Sequence, residues 1–470
     1  MSIKTYGVPC FIGLNQAGDE NRLSPVYSPD AVNMDTEGGR LRVAKGFTKY
    51  SAARVPGSAD IDLLTCLRTA EGDIPVAIAG GSVYALIEGS WELKYSYESV
   101  PAGVSYDSAT VRIGMTDYLV IADGAHQMIK FDGETVTAFG SAEGCSDVAV
   151  SFLTVYRGRL FAAGDAENPD RIYYSVLPGS GRTVEDWGCV EASPAVEGGH
   201  AEVGPAGGDP IVTIKALSNQ LLIFKKRSLY RLIGDRPSNY TIEHIDASVP
   251  CTRHTAVVNY GDMLYFVTAE GLYCYNGVTA RPNPDIRLIK AVMAGADVTG
   301  SRAAVVRDKL YFTLKRDGAD AMIEYDITER KYMLRDGFTV FDAAPIADEL
   351  MLINKKRCLY IFGRGDSYDG EPIDAYWRTP LTDLEDKAAI KAPRLLFLRG
   401  TGSTVNIETE LDGRTAHYRV QLPKAGCEVR ELPLFGAGRC FRLRIANERG
   451  GSFELTGGIE LELGLRRRTE

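Results

Sequence analysis

Histidine and tryptophan are scarce in this chain, with 5 and 3 residues among 470. The histidines (His126, His200, His244, His254, His417) stand far apart, which excludes a zinc site built on closely spaced histidines. The 9 cysteines are odd in number and scattered, without a Cys-x-x-Cys pair, so zinc ribbons and redox dithiols are not expected. Free thiols in a chain made in a reducing cytosol fit better. No apolar run approaches the ~18–20 residues of a membrane span. Between Met1 and Gln16 no charged stretch precedes a long apolar one, so no signal peptide is expected. Basic residues are outnumbered 53 to 62, a net charge of −9, which speaks against a general nucleic-acid binder. It leaves room for a protein that lets DNA pass without gripping it. A Gly-x-Ser-x-Gly elbow, a P-loop, a helix-opening Gly-x-Gly-x-x-Gly and repeated Ser-x-Asp-x-Gly-x-Thr-Trp boxes are all missing. The expectation is no catalytic residue, no metal and no cofactor.

What is abundant is turn-forming and β-forming. There are 49 glycines, and tyrosine outnumbers phenylalanine 24 to 16. Glycines between short aromatic and β-branched runs predict an all-β protein. One unit recurs: Asn219–Gly234, Gly261–Gly277 and Asp348–Gly363 each read as polar turn, apolar strand, short turn and a strand carrying Leu-Tyr. Units begin near Gly72, Thr116, Arg157, Ser218, Tyr260, Arg307 and Ala347, with spacings of 40 to 61 residues. A period of roughly 43 residues has room for four short strands, the signature of a β-propeller blade. The apolar strand of each hairpin barely alternates, as in Leu221-Leu-Ile-Phe224, which fits burial on both faces between stacked blades. A pair of β-sandwiches is the competing reading of such spacing.

The chain therefore divides into an extended N-terminal arm (1–40), a propeller of about seven blades (41–375; six and eight stay open) and a C-terminal β-sandwich (376–470). The segment 178–210 reads as a surface insertion in the propeller. The strand beginning at Gly39 is expected to close the ring on the last unit, and Ser28–Asp35 to form a helical turn capped by Ser28. Leu381–Ile390 is expected to form another. In the sandwich, strict alternation suggests that Arg442 and Arg444 pair with Glu460 and Glu462 if their strands are neighbours.

Few residues present themselves as functional. Phe11, Ile12, Leu14 and Val32 are isolated apolar anchors in a polar arm, suited to a neighbouring subunit. Two aligned basic turns, Lys225-Lys226-Arg227 and Lys355-Lys356-Arg357, offer charge to phosphate or simply keep hairpins soluble. Gly363–Asp374 is acidic but lacks EF-hand spacing. Arg466-Arg467-Arg468 is a basic tail. The Tyr of the second hairpin strand (Tyr84, Tyr173, Tyr230, Tyr273, Tyr325, Tyr360) is expected to pack between blades with its hydroxyl at the rim.

Three stretches carry a resemblance. They are Phe11-Ile-Gly-Leu-Asn15 with Ser28–Met34 and Gly39–Gly46; Arg159–Gly164 with Asn168–Ser175 and Asp186-Trp187; and Leu221–Tyr230 with Gly271–Gly277. Together they resemble the β-propeller virion proteins of tailed phages and prophages: tail nozzle, tail hub and packaged-DNA stabilisation proteins. The resemblance implies a non-enzymatic structural protein without cofactors, made in the host bacterial cytoplasm and placed in the virion tail or neck. Its partners would be copies of itself in a ring, often of six, neck or adaptor proteins, and passing DNA. Aromatic content and acidic turns leave open a glycan-binding or glycan-cleaving propeller for host attachment, and a bacterial scaffold unrelated to phage also stays open.

Overall fold

The computed structural model describes residues 2–140, 148–179, 181–188, 197–205, 207–246, 253–426 and 428–466. Seven antiparallel sheets follow one another as blades: 61–96, 107–138, 152–202, 211–246, 257–282, 296–336 and 342–362. Each turn position picked out in the sequence falls at or beside the turn between a blade's first and second strands. At Ala347 and Asp348 two successive residues take positive φ (51° and 58°), which matches the twist of a two-residue hairpin. The second strands are the apolar runs. Arg159–Ala163 and Gln220–Lys225 are buried at every position, because each lies between two neighbouring blades. Five separate apolar clusters join successive blades from the seventh round to the fifth.

The predicted rim tyrosines all lie on third strands. Four of them end on carboxylates: Tyr173 on Asp165, Tyr273 on Glu270, Tyr325 on Asp285 and Tyr360 on Asp369, at 2.5, 2.6, 2.8 and 2.9 Å. The ring body packs between blades and the hydroxyl finds an acceptor outside the apolar layer.

Ring closure differs from expectation. The last blade is completed by Phe47–Arg54, which pairs antiparallel with Cys358–Phe362. The strand after Gly39, Leu41–Val43, instead pairs with Phe453–Arg466 in the sandwich. The segment 178–210 is not merely a surface excursion: Gly199–Glu202 is the fourth strand of blade 3, and Val184 and Trp187 are buried. Positions 180, 189–196 and 206 of that segment lie outside the described residues.

The N-terminal arm is likewise corrected. Ser2–Val8 pairs along Phe453–Arg466, and Met34–Asp35 pairs with Leu41–Val43 in the same sheet. Ala31–Val32 enters the opposite sheet beside Tyr376–Arg378, so Ser28–Asp35 holds two short strands and no helical turn. The pairing offered by the sandwich outweighs the local capping signal. Leu381–Ile390 forms turns, with Thr382 bridging Phe441, in place of the expected helical turn. Arg442 and Arg444 face Glu410 and Glu408, with Arg442 Nε 3.0 Å from Glu410. Glu460 and Glu462 lie in the other sheet, opposite Phe397 and Leu395.

A single apolar cluster runs from the sandwich into blades 5, 6 and 7. Phe11 meets Trp377 edge-on at 5.4 Å and 88°. Asn33 takes φ 53°, a conformation Asn tolerates better than most residues. Its amide donates to the Asp374 and Asp336 carbonyls at 2.8 and 3.1 Å. Its Oδ1 accepts from Asp336 N and Tyr368 Oη, both at 3.0 Å. Beside it the buried Arg335 pairs with the buried Glu324 at 2.6 Å and donates to Met34 O. Burial would raise the Asp35 carboxyl, but Arg335 and Arg42 outweigh it and hold it down at about 2.

Candidate functional site

The residues singled out in the sequence occupy three places. Phe11, Leu14 and Val32 are 1%, 1% and 3% exposed within their own chain, so they are not free to anchor a neighbour. Ile12 is half-buried, and its N–H donates to Val26 O. The reason is geometric: the segment is a strand donor to both sandwich sheets, and its apolar anchors fill the junction with blade 6.

The two basic turns link second to third strands of blades 4 and 7, so they share one face of the ring but stand three blades apart. Alignment in sequence hides different environments. Lys225 is 1% exposed and pairs with Asp170 at 2.7 Å, while Lys226 and Arg227 are exposed. In the other turn Lys355 and Lys356 are exposed, and Arg357 takes φ 61°. The Arg357 guanidinium donates to Val55 O, Pro56 O and Ala59 O, clamping the chain that leaves the closing strand. Lys356 reaches Asp369 at 3.1 Å, as Lys49 does at 3.4 Å. Lys45 pairs with Asp366 at 2.5 Å. The acidic turn 363–374 is thus answered by lysines. Arg466 ends the last strand opposite Ile390, whereas Arg467 and Arg468 lie outside the described residues.

The place where side chains from every blade converge is the propeller axis. A cavity of roughly 490 Å³ is lined by all seven first strands or the residues leading into them. Two aspartates at the starts of first strands act alike. Asp342 accepts from Leu64 N of the next blade at 2.7 Å and from Ala343 N at 2.8 Å. Asp107 accepts from Leu153 N of the next blade at 3.1 Å and from Ser108 N at 2.9 Å. Each carboxylate stitches its blade to the following one by pairing an otherwise open strand edge. Burial pushes the Asp342 carboxyl up, and Arg302, with its Nε 3.4 Å away, offsets part of that.

Side chains cross one end of the axis. His254, leading into blade 5, is 3% exposed and reaches across to blade 2. Its Nε2–H donates to Tyr106 O at 2.8 Å, leaving Nδ1 to accept from Ser105 Oγ at 3.4 Å. Burial, with the nearby Lys215 and Arg302 cations, drives its pKa down to about 4, so the ring is neutral at pH 7. Arg302 Nη2 donates to Asp62 O at 2.7 Å, joining blade 6 to blade 1 across the same end.

This arrangement offers structure more readily than acid–base chemistry. Each axial carboxylate accepts two backbone N–H groups, and the buried imidazole uses both nitrogens. Among the described residues no group of three or more His, Cys, Asp or Glu side chains could hold a metal ion. No helix there is long and apolar enough to cross a membrane.

No protein-family model matches the chain, and no curated protein matches it. Solved structures similar to it include the Pan2 WD40 domain of Neurospora crassa, at 11% identity over 68% of this chain and 96% of that one, with a TM-score of 0.41. Another is PorZ, an essential bacterial surface component of the type-IX secretion system of Porphyromonas gingivalis. That likeness has 14% identity, covers 78% of this chain and 46% of PorZ, and has a TM-score of 0.37.

Sequence reasoning missed the axial residues. Asp107, Asp342 and Arg302 were three charges among many, and His254 stood alone. A signal was present: Asp107 and Asp342 both open a strand that precedes one of the repeated turns.

Proposed function

We propose that the chain is a non-enzymatic structural protein of a tailed-phage or prophage virion, part of the tail nozzle, hub or neck ring through which DNA exits. The observation that carries this reading is the coupling of propeller and sandwich into one block. The N-terminal segment is woven into both sandwich sheets and pinned to blade 6 through Leu14, Asn33 and Met34. A part that bears load in a ring needs that rigidity. The stretches that resemble the phage family fall on the blocks that hold the fold: the junction, the buried strands of blades 3 and 4, and the third strand of blade 5. A net charge of −9 suits a wall past which DNA moves without sticking. The axial cavity is only roughly 490 Å³ and is crossed by His254, so DNA would pass through a ring of subunits and not through a single propeller.

The rival glycan-binding reading leans on exposed aromatic platforms, yet Trp91, Trp187 and Trp377 are all buried. Electron microscopy and light scattering of the purified protein provide the test. Closed rings with a central hole that admits duplex DNA, and the protein's presence in purified particles, are the expected result. A strict monomer that is absent from particles would overturn the proposal.

A further inference from the structure

The axial cavity holds more positive charge than its own carboxylates use. Its charged lining consists of Arg68, Lys215 and Arg302 against Asp107 and Asp342, a cationic balance inside a chain of net charge −9. Both aspartates already accept two backbone N–H groups each. Arg302 is 6% exposed, and its Nη1 is buried without a hydrogen-bond acceptor among the described residues. A buried guanidinium N–H left unpaired is costly, and native structures rarely keep one without a use. Lys215 projects from blade 4, half-buried, with no ion pair among the described residues. Away from His254, where the first strands finish, the lining residues Arg68 and Val155 are exposed to solvent.

We infer that the axial cavity binds a small oxyanion of the phosphate type, with the Lys215 ammonium and the Arg302 guanidinium as its main cations and Arg68 at its entrance. Charge-assisted hydrogen bonds from a guanidinium and an ammonium in a walled cavity suit a compact, multiply charged oxygen ligand. The volume of roughly 490 Å³ also admits a small organic phosphate. The inference is independent of the virion proposal, since it concerns one propeller and not the ring.

The test is titration calorimetry and thermal melting of the full chain with inorganic phosphate and with ribose 5-phosphate, each against sodium chloride of equal ionic strength. Binding and a raised melting temperature at ~10 mM phosphate are expected. Equal affinity for both probes marks the free ion as occupant, and tighter binding of ribose 5-phosphate marks an organic phosphate. Lys215→Gln should weaken binding about tenfold or more while leaving the ligand-free melting temperature unchanged, since no partner is lost. Arg302→Gln should abolish binding. Because Arg302 also holds Asp62 O and Asp342, the Lys215 variant decides the matter if Arg302→Gln fails to fold. No heat and no shift beyond the chloride control, or an unchanged affinity in Lys215→Gln, would overturn the inference.

Discussion

Replacing Phe11 with alanine separates two roles for the N-terminal segment. Phe11 is 1% exposed, and its ring meets Trp377, itself fully buried, edge-on at 5.4 Å. Truncating a buried phenylalanine costs about 3–5 kcal/mol, from lost transfer energy plus the cavity left behind. The aromatic edge contact contributes about 0.5–1.5 kcal/mol of that. Phe11→Leu, which keeps most of the volume but loses the ring edge, should therefore cost about 1–2 kcal/mol. The assay is urea denaturation followed by tryptophan fluorescence and by circular dichroism. Two probes are needed because a chain of this size need not unfold in one step. Trp377 makes fluorescence sensitive to the junction itself. A loss below about 0.5 kcal/mol for Phe11→Ala is what an exposed arm would give. That result would refute the placement of the segment inside its own chain.

Other perturbations have equally definite outcomes. His254 carries a pKa of about 4 in the fold against an ordinary 6.5, so the unfolded chain binds a proton that the native fold refuses. Its contribution is complete above pH ~6.5 and is lost progressively as pH falls toward ~4, by up to about 3 kcal/mol. Urea midpoints across that range should flatten in His254→Gln. Lys225→Met strands the buried Asp170 carboxylate and should cost about 3–5 kcal/mol, whereas Lys226→Ala, its exposed neighbour, should stay within about 0.5 kcal/mol in the same melts. A Cβ on Gly46 would sit 2.0 Å from the Ser367 carbonyl oxygen, so Gly46→Ala should cost about 1–3 kcal/mol. Gly7→Ala, where a Cβ meets nothing within 4 Å, is the neutral control in calorimetry.

Local patterns in the sequence carried the propeller well and the connections poorly. The doubly apolar strands and the turns that precede them report on burial between blades, which acts on every blade alike. The partner of a strand leaves no such trace when it lies hundreds of residues away. Leu41–Val43 and Phe47–Arg54 are both short β-prone runs, and only three dimensions send one to the sandwich and the other to the ring. The arm misled for a related reason. A polar segment with sparse apolar anchors cannot fold alone, but Phe11, Leu14 and Val32 need only a surface already built by the rest of the chain. The paired basic turns misled because Lys225 ends its strand facing Asp170, while Lys355 sits in the turn itself. Residue identity at aligned positions does not fix which side of the strand end a side chain takes. The Lys356–Asp369 contact joins two features that the sequence presents as unrelated, because the turn and the acidic hairpin meet only once the ring has closed.

The two closures are mechanically linked. The ring needs Phe47–Arg54 to complete its last blade, and the sandwich needs Ser2–Val8, Ala31–Val32, Met34–Asp35 and Leu41–Val43 to fill its sheets. Between Val43 and Phe47 the crossing from one unit to the other is made by Ala44, Lys45 and Gly46. That crossing is itself held: Gly46 N donates to Gly365 O at 3.0 Å, and Gly46 O accepts from Gly363 N at 2.8 Å. On the far side, the chain leaves blade 7 through the hairpin Ser367–Pro372, whose Tyr368 pairs with Phe47. Both strands that cross between the units are therefore bonded to each other at the point of crossing. A rotation of the sandwich about the propeller would have to break the Gly46 hydrogen bonds at the crossing, the Asn33 contacts and the Arg335–Met34 hydrogen bond together. Two domains joined by a single linker can hinge, but two domains that each borrow strands from across the junction cannot do so without unfolding an edge. Stiffness at the junction is thus a consequence of topology, and it persists whichever partner the exposed faces meet.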